Sequence, residues 1–309
     1  MTNGIHHVTA ISGLARRNLD FYTRVLGLRL VKKTVNFDDP STYHFYYGDS
    51  AGSPGTILTF FPWEHAAPGR LGIGETAETA FQVPSTAIGY WTHRFVSEGV
   101  EHDNPVRRFG ETVLPFRDPD GTRLALVSTD LPDQDEGLWS GADVPVEHAI
   151  RGLHSVTLLL KEAGPTGAIL QDVFGLAETG REGSVLRFAS GASRGGIVQI
   201  REVGDFLKGR PGGGTVHHVA FRAADDEAER AMVEKLARDH GLATTEQRDR
   251  NYFRSVYFRE PGGVLFEIAT DIPGFAVDEA PEELGRALKL PPGLEERRAE
   301  IEAVLPKVA

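Results

Sequence analysis

The sequence predicts an α+β protein of four βαβββ modules, assembled into two half-barrel domains and followed by a C-terminal helical tail. Three observations predict it. A strand–helix–strand pattern recurs four times along the 309 residues, and the pair His6-His7 that opens the first strand-like run returns as His217-His218. Turn chemistry also falls at matching places in the second and fourth repeats, at Asp118-Pro119-Asp120-Gly121 and Glu260-Pro261-Gly262-Gly263.

The first module, residues 1–62, opens on the strand-like run IHHVTAI. In the next segment Leu19, Phe21, Tyr22, Val25 and Leu26 fit one helical face that ends at Gly27. The β-rich runs YHFYYGD and GTILTFFP complete it. The second module, 75–130, starts near TAETAFQV, has its helix over Ile88 to Glu98 and ends in the hairpin VLPFRDPDGTRLALVST. The third, 151–203, runs from GLHSVTLLL through the helical GAILQDVFGL to GGIVQIREV. The fourth, 215–272, runs from TVHHVAFRA through the helix DEAERAMVEKLARDHG to the hairpin RSVYFREPGGVLFEIATD. An acidic, Pro-containing stretch over 131–150 breaks both periodicities and reads as the interdomain linker. The tail, 278–309, reads as one or two short helices interrupted by Pro291-Pro292 and packed against a domain.

Composition narrows the function. A formal net charge of −11 argues against a surface that neutralises phosphates, so nucleic acid is not an expected partner. The chain has no cysteine, which excludes disulfides, thiolate metal sites and cysteine nucleophiles together. Any metal must sit on imidazole and oxygen. No apolar stretch approaches the roughly 20 residues of a membrane span, and the N-terminus lacks a leader pattern, so the expected location is cytoplasmic, with no membrane partner. The glycine runs at Gly72-Ile73-Gly74 and Gly212-Gly213-Gly214 lack a full phosphate-loop arrangement and read as loops. The sequence leaves room for a homo-oligomer.

Comparing the modules with one another locates a site. GIHHVT, GLHSVT and TVHHVA superpose so that His7 and His218 share a position held by Ser155 in the third module, while His154 matches His6 and His217. At the closing strand Glu267 superposes on Ala125 of the second module. Strand alternation puts Ile5, His7 and Thr9 on one face, His218 with Val216 and Ala220, and Glu267 with Leu265 and Ala269. If modules one and four share a half-barrel, His7, His218 and Glu267 can converge on its concave face. Two histidines and one carboxylate are the facial ligand set of a divalent metal with open positions. Glu267 lies between Phe266 and Ile268, where an unpaired buried carboxylate would be costly and a metal would offset that cost. The remaining histidines, His44, His65, His93, His102, His148 and His240, have no matching partner pattern and read as structural or exposed.

These residues resemble the vicinal oxygen chelate superfamily, which includes glyoxalase I, bleomycin-resistance proteins and extradiol ring-cleaving dioxygenases. GIHHVTAI with NLDFYTRVLGLRLVKKTVNFDDPSTYHFYYGD, and the tail LKLPPGLEERRAEIEAVLP, look most like its hydroquinone-type ring-cleaving branch. The resemblance covers essentially the whole chain. It implies Fe(II), or Mn(II) or another divalent metal, on His7, His218 and Glu267, with His6, Thr9, His217, Arg250 and Tyr257 as active-site groups around it. Catechol dioxygenases of the superfamily take their first histidine from module three, which would make His154 the alternative ligand. By alternation His6 and His217 should point away from the metal unless a bulge or a strand end redirects them.

The resemblance implies a small aromatic substrate and O2 as partners. Tyr257 and a nearby histidine would donate hydrogen bonds or protons to oxygen atoms, and Arg250 would offset developing negative charge. A para-diol cannot reach one iron with both hydroxyls, so a second polar group should hold the far oxygen, and the sequence does not single it out. Two other functions use the same fold: a glyoxalase-like isomerase or lyase with the metal as Lewis acid, and a sequestering protein that binds an aromatic without turnover.

Overall fold

A computed structural model describes residues 4–131, 137–141 and 143–308 of the chain. The first module supplies β1 (Ile5–Ser12), α1 (Ala15–Asp20), β2 (Arg29–Asn36), β3 (Asp39–Gly48) and β4 (Ile57–Pro62). The second supplies β5 (Glu75–Pro84), α2 (Ile88–Glu98), β6 (Val106–Arg108), β7 (Glu111–Arg117) and β8 (Arg123–Thr129). The third supplies β9 (Gly152–Leu160), α3 (Gly164–Asp172), β10 (Ala177–Glu182), β11 (Val185–Ala189) and β12 (Ile197–Glu202). The fourth supplies β13 (Thr215–Ala223), α4 (Asp226–His240), β14 (Arg248–Asp249), β15 (Phe253–Arg259) and β16 (Leu265–Pro273). The expected linker over 131–150 falls partly outside the described residues.

The strands form two curled eight-stranded sheets, β14-β15-β16-β13-β1-β4-β3-β2 and β10-β11-β12-β9-β5-β8-β7-β6. Modules one and four thus share one sheet and modules two and three the other. In each module the first strand pairs in parallel with the last, as β1 with β4 and β13 with β16, and the first strands of two modules meet antiparallel at the centre. One large apolar cluster joins Tyr22, Trp91, Leu170 and Leu236 from the helical segments to strand residues such as Val8, Phe60, Phe81 and Phe221. A smaller one, including Val31, Tyr46, Ala220, Phe253 and Ala269, lines the other face of the first sheet.

The first helix differs from its expected form. α1 gives way after Asp20 to a π-turn over Phe21–Val25, closed by Leu26 N–H donating to Phe21 O at 3.0 Å. The wider turn buries the adjacent Phe21 and Tyr22 together, while Leu19 is only half-buried. Tyr22 Oη then donates to Asp118 Oδ2 at 3.0 Å, tying module one to the second sheet. The pseudo-equivalent tie runs from Thr166 of α3 to Glu260 at the β15-β16 turn. Each of these acids also caps its own turn: Asp118 accepts from the Thr122 N–H at 2.7 Å and Glu260 from the Val264 N–H at 2.7 Å.

The glycine runs have a structural explanation. The connections between modules one and two and between modules three and four pair with each other, Pro68 with Gly213 and Ile73 with Lys208. A Cβ on Gly72 would stand 2.4 Å from Leu207 O, and one on Gly212 2.3 Å from Ala67 O, so only glycine allows this approach.

The tail contains a helical turn over Pro292–Arg297 and α5 (Arg298–Val304), with Ile301 and Leu305 in the main core. Ahead of it, Asp278 and Glu279 reach the fully buried Lys32 of β2, with Nζ to oxygen distances of 2.6 and 2.5 Å. Removing that cation strands two carboxylates, Glu279 among buried groups. We expect Lys32→Met to lower the unfolding free energy by about 3 kcal/mol, measured by denaturant titration. A loss below about 1 kcal/mol would show that the tail is held by its apolar contacts instead.

Candidate metal centre

β1 and β13 each carry a bulge at the histidine pair. Opposite Phe221 and Ala220 stand Ile5 and His7, which leaves His6 as the extra residue, and opposite Thr9 and Ala10 stand His218 and Val216, which leaves His217. A bulge re-aims side chains and shifts the strand's phase. The alternation read from sequence therefore slips at both places. Ile5, expected beside His7, lies with Val8 and Ala10 in the main core, and Val216, expected beside His218, lies there with Val219. Beyond the bulge Ala220 keeps its expected face, as does Ala269 beside Glu267.

The bulges also turn His6 and His217 toward their neighbours instead of away. His6 Nδ1 is 3.0 Å from His7 Nδ1, and His217 Nδ1 is 2.8 Å from His218 Nδ1. Burial, then the adjacent His7, holds His6 well below the usual histidine range; burial and His218 lower His217 to about 3. Both are neutral rings. A neutral ring can accept the Nδ1 proton of its partner and fix that partner's tautomer with Nε2 free as a ligand.

Those two Nε2 atoms converge with the Glu267 carboxylate. His7 Nε2 and His218 Nε2 lie 3.3 Å apart, and Glu267 Oε2 lies 3.2 Å from the first and 2.8 Å from the second. Among the described residues no other three His, Asp or Glu side chains converge in this way. Glu267 is 0% exposed. Burial alone would raise its carboxyl pKa, but His7 and His218 pull it well below the usual range, so it is ionised. Although the two ring nitrogens are close, neither carboxylate oxygen receives a hydrogen bond of good geometry from the described residues. Three lone-pair atoms that close without aligned protons between them are arranged as ligands. Neighbouring ligands of an octahedral ion with bonds of about 2.1 Å are themselves about 3 Å apart. The residues present fit a divalent metal.

The triangle opens on a small cavity lined by His7, His218, Phe253, Arg250 and Tyr257, with Asn36, Phe37 and Asp38 toward the rim. Tyr257 pairs in register with Glu267 on the neighbouring strand, and burial, then Glu267, keeps it a phenol. Arg250 donates to Asp38 Oδ2 at 3.0 Å while its guanidinium lies 5.5 Å from the centre of the Tyr257 ring. Thr9 is buried but does not line the cavity; its hydroxyl is 2.8 Å from that of Thr59. His217 does not line it either and faces a cleft at the seam between the sheets.

His154 lies in the second sheet, its Nε2 3.1 Å from Glu111 Oε1 and its Nδ1 3.0 Å from Ser155 Oγ, and it is not brought together with His218. His44, read from sequence as structural or exposed, instead lines the cavity beside Tyr46. The missed signal was alternation along β3, where Tyr43, Phe45 and Tyr47 enter the main core and leave His44 and Tyr46 on the other face. In an all-aromatic run no change of polarity reveals that phase.

A sequence model of the Glyoxalase/Bleomycin resistance protein/Dioxygenase superfamily matches residues 4–126. Bacillus subtilis (strain 168) has a relative, named ring-cleaving dioxygenase MhqO, that is 44% identical over 97% of this chain and 95% of its own length. The chain belongs to this superfamily. A second relative, the chlorohydroquinone/hydroquinone 1,2-dioxygenase of Sphingobium indicum, is 35% identical over 94% of this chain and 92% of its own. A crystal structure of a Bacillus subtilis protein described as a dioxygenase matches at 43% identity with a TM-score of 0.94, covering 100% of this chain and 98% of that one. Glyoxalase I of Zea mays, 12% identical with a TM-score of 0.64 over 87% of this chain and 92% of that one, shares the superfamily fold.

The buried neutral histidines give the metal-free protein a defined pH dependence. A histidine whose folded pKa is depressed adds stability that is fully present above its unfolded pKa near 6.5 and is lost as pH falls toward the folded value. For His217, with a folded value of about 3, moving from pH 7 to pH 5 should remove about 1–2 kcal/mol, allowing for its partial exposure. In chelator-treated protein, the difference in unfolding free energy between pH 7 and pH 5 should therefore shrink by that amount in His217→Asn. An unchanged difference would mean that His217 takes up its proton in the folded state.

Proposed function

We propose that this superfamily member is a non-haem Fe(II)-dependent ring-cleaving dioxygenase that inserts O2 into a hydroquinone or related dihydroxylated aromatic, acting in the cytoplasm. The observation that carries the reading is the triangle of His7 Nε2, His218 Nε2 and Glu267 Oε2, open on one side to the cavity of Arg250 and Tyr257. Its support comes from the relatives named for ring cleavage and, in one case, for hydroquinone. Among the described residues no helix is long and apolar enough to cross a membrane.

His7, His218 and Glu267 would hold the metal, and His6 and His217 would fix the ligand tautomers from behind. When bound, Fe(II) offers open positions for a phenolate oxygen and O2 and the electrons that activate oxygen. The chain's own groups do the rest. Phe253, 5.1 Å from the His7 ring, and Phe37 give the ring an apolar bed and exclude water. Tyr257, kept protonated, donates to oxygen atoms that gain charge beside the metal set. Arg250, held by Asp38, supplies positive charge to the same region. Thr9 acts one step back, through Thr59.

Two measurements test this. Protein loaded with Fe(II) should consume oxygen and hydroquinone in equal amounts and yield a ring-opened acid. Ala at His7, His218 or Glu267 should remove most bound iron, whereas His154→Ala should keep it; iron lost from His154→Ala and kept in His7→Ala would overturn the ligand set. Turnover of a glyoxalase substrate without oxygen uptake would favour an isomerase.

Tyr257→Phe and Arg250→Ala remove no ligand. Each should retain near-normal iron and lose about 10²- to 10³-fold in turnover rate. Normal turnover by both iron-replete variants would refute their catalytic roles.

A further inference from the structure

A ring with two hydroxyls at opposite ends can give only one of them to a metal, so the other must end against the cavity wall away from the triad. If nothing polar meets it there, its hydration is lost without compensation. Several polar groups line this cavity, and most are committed elsewhere. Tyr257 stands in register with Glu267, next to the metal set, and Arg250 lies over its ring. Asp38 is at the exposed rim, tied to Arg248 and Arg250. Asn36 uses its Oδ1 to accept from the Asp38 N–H at 3.0 Å.

His44 and Tyr46 remain. They sit on β3, two strands from β1 in the order β1-β4-β3, about 10 Å along the sheet from the strand of His7. They belong to one hydrogen-bonded row: Thr9 Oγ1 to Thr59 Oγ1 at 2.8 Å, Thr59 Oγ1 to His44 Nε2 at 2.9 Å, and His44 Nδ1 to Tyr46 Oη at 2.9 Å. Thr59 faces Thr9 across the β1-β4 pair just as Glu267 faces Ala220 across the β13-β16 pair, so the row passes through the module-one counterpart of the carboxylate position, Thr59. It ends at the Tyr46 hydroxyl, which is buried at 2% exposure and makes no other hydrogen bond among the described residues.

The row can run in either direction. If Tyr46 donates to His44, its oxygen still accepts; if His44 donates to Tyr46, the phenol proton is free. Both directions suit a partner that can donate or accept, which is what a ring hydroxyl does. We propose that Tyr46 Oη is the subsite for the ring hydroxyl remote from the metal, with His44 as the positioning residue that holds it, so that the cavity selects a para-diol over a phenol with an apolar para substituent. The proposal rests on the ring-cleavage reading above.

Tyr46→Phe removes one oxygen and keeps the ring packed on Phe275, 5.1 Å away. The test is calorimetric binding of hydroquinone and of 4-methylphenol, which has a methyl group in place of the second hydroxyl, to Fe(II)-loaded protein without oxygen. The wild type should prefer hydroquinone by about tenfold. In Tyr46→Phe the hydroquinone affinity should fall to that of 4-methylphenol while 4-methylphenol binding is unchanged, and His44→Gln should lose part of the same preference. An equal loss for both ligands would reveal a merely structural role, and a preference that survives Tyr46→Phe but disappears in Asn36→Ala would move the subsite to the rim. Either result overturns the proposal and leaves the ring-cleavage reading intact. An iron-replete wild type that binds neither ligand would overturn both.

Discussion

Everything at this centre follows from one buried charge. Glu267 is ionised, fully buried and flanked by Phe266 and Ile268, which face the main core. Such a carboxylate is tolerable only when cationic or ligand-bearing groups meet it. The two that do come from strands far apart in sequence, and each needs a bulge to aim its ring and to bring a second histidine behind it. The pairing of β1 with β13, the parallel placement of β16 beside β13, and the two bulges are therefore parts of one arrangement around that charge.

The second sheet shows what the scaffold does without it. β5 and β9 meet as β13 and β1 do, with bulges at Ala77 and His154, so the chain geometry is repeated. The corresponding concave positions hold Glu78, Ala125 and Ser155. Instead of a convergent triad, Glu78 pairs with Arg108 at 2.7 Å, and Glu111 spans Arg187 and His154 at 2.6 and 3.1 Å. Each carboxylate has its own cation, and the pocket on that face is lined by Glu78, Arg108, Arg117 and Arg123 instead of a ligand set. Function in this superfamily lies in which residues occupy the repeated positions, not in the fold that repeats them.

Much of this was legible in the sequence because a repeat lets a chain be compared with itself. The helix over Ile88–Glu98 has the expected bounds, and His7, His218 and Glu267 could be picked out because Ser155 and Ala125 interrupt their pattern elsewhere. Three features were hidden for physical reasons. The bulges shift strand phase by one residue, so simple alternation misplaced Ile5 and Val216. The π-turn at Phe21–Val25 departs from helical periodicity while keeping its apolar composition. His44 and Tyr46 lie in a run where every neighbour is aromatic, so nothing marks the cavity face.

The most direct test of the account is anomalous diffraction at the iron edge from crystals loaded with Fe(II) in the absence of oxygen. The account predicts one strong peak in contact with His7 Nε2, His218 Nε2 and a Glu267 oxygen, facing the cavity of Arg250 and Tyr257. A peak beside His154 and Glu111, or full iron loading with none at the triad, would contradict it.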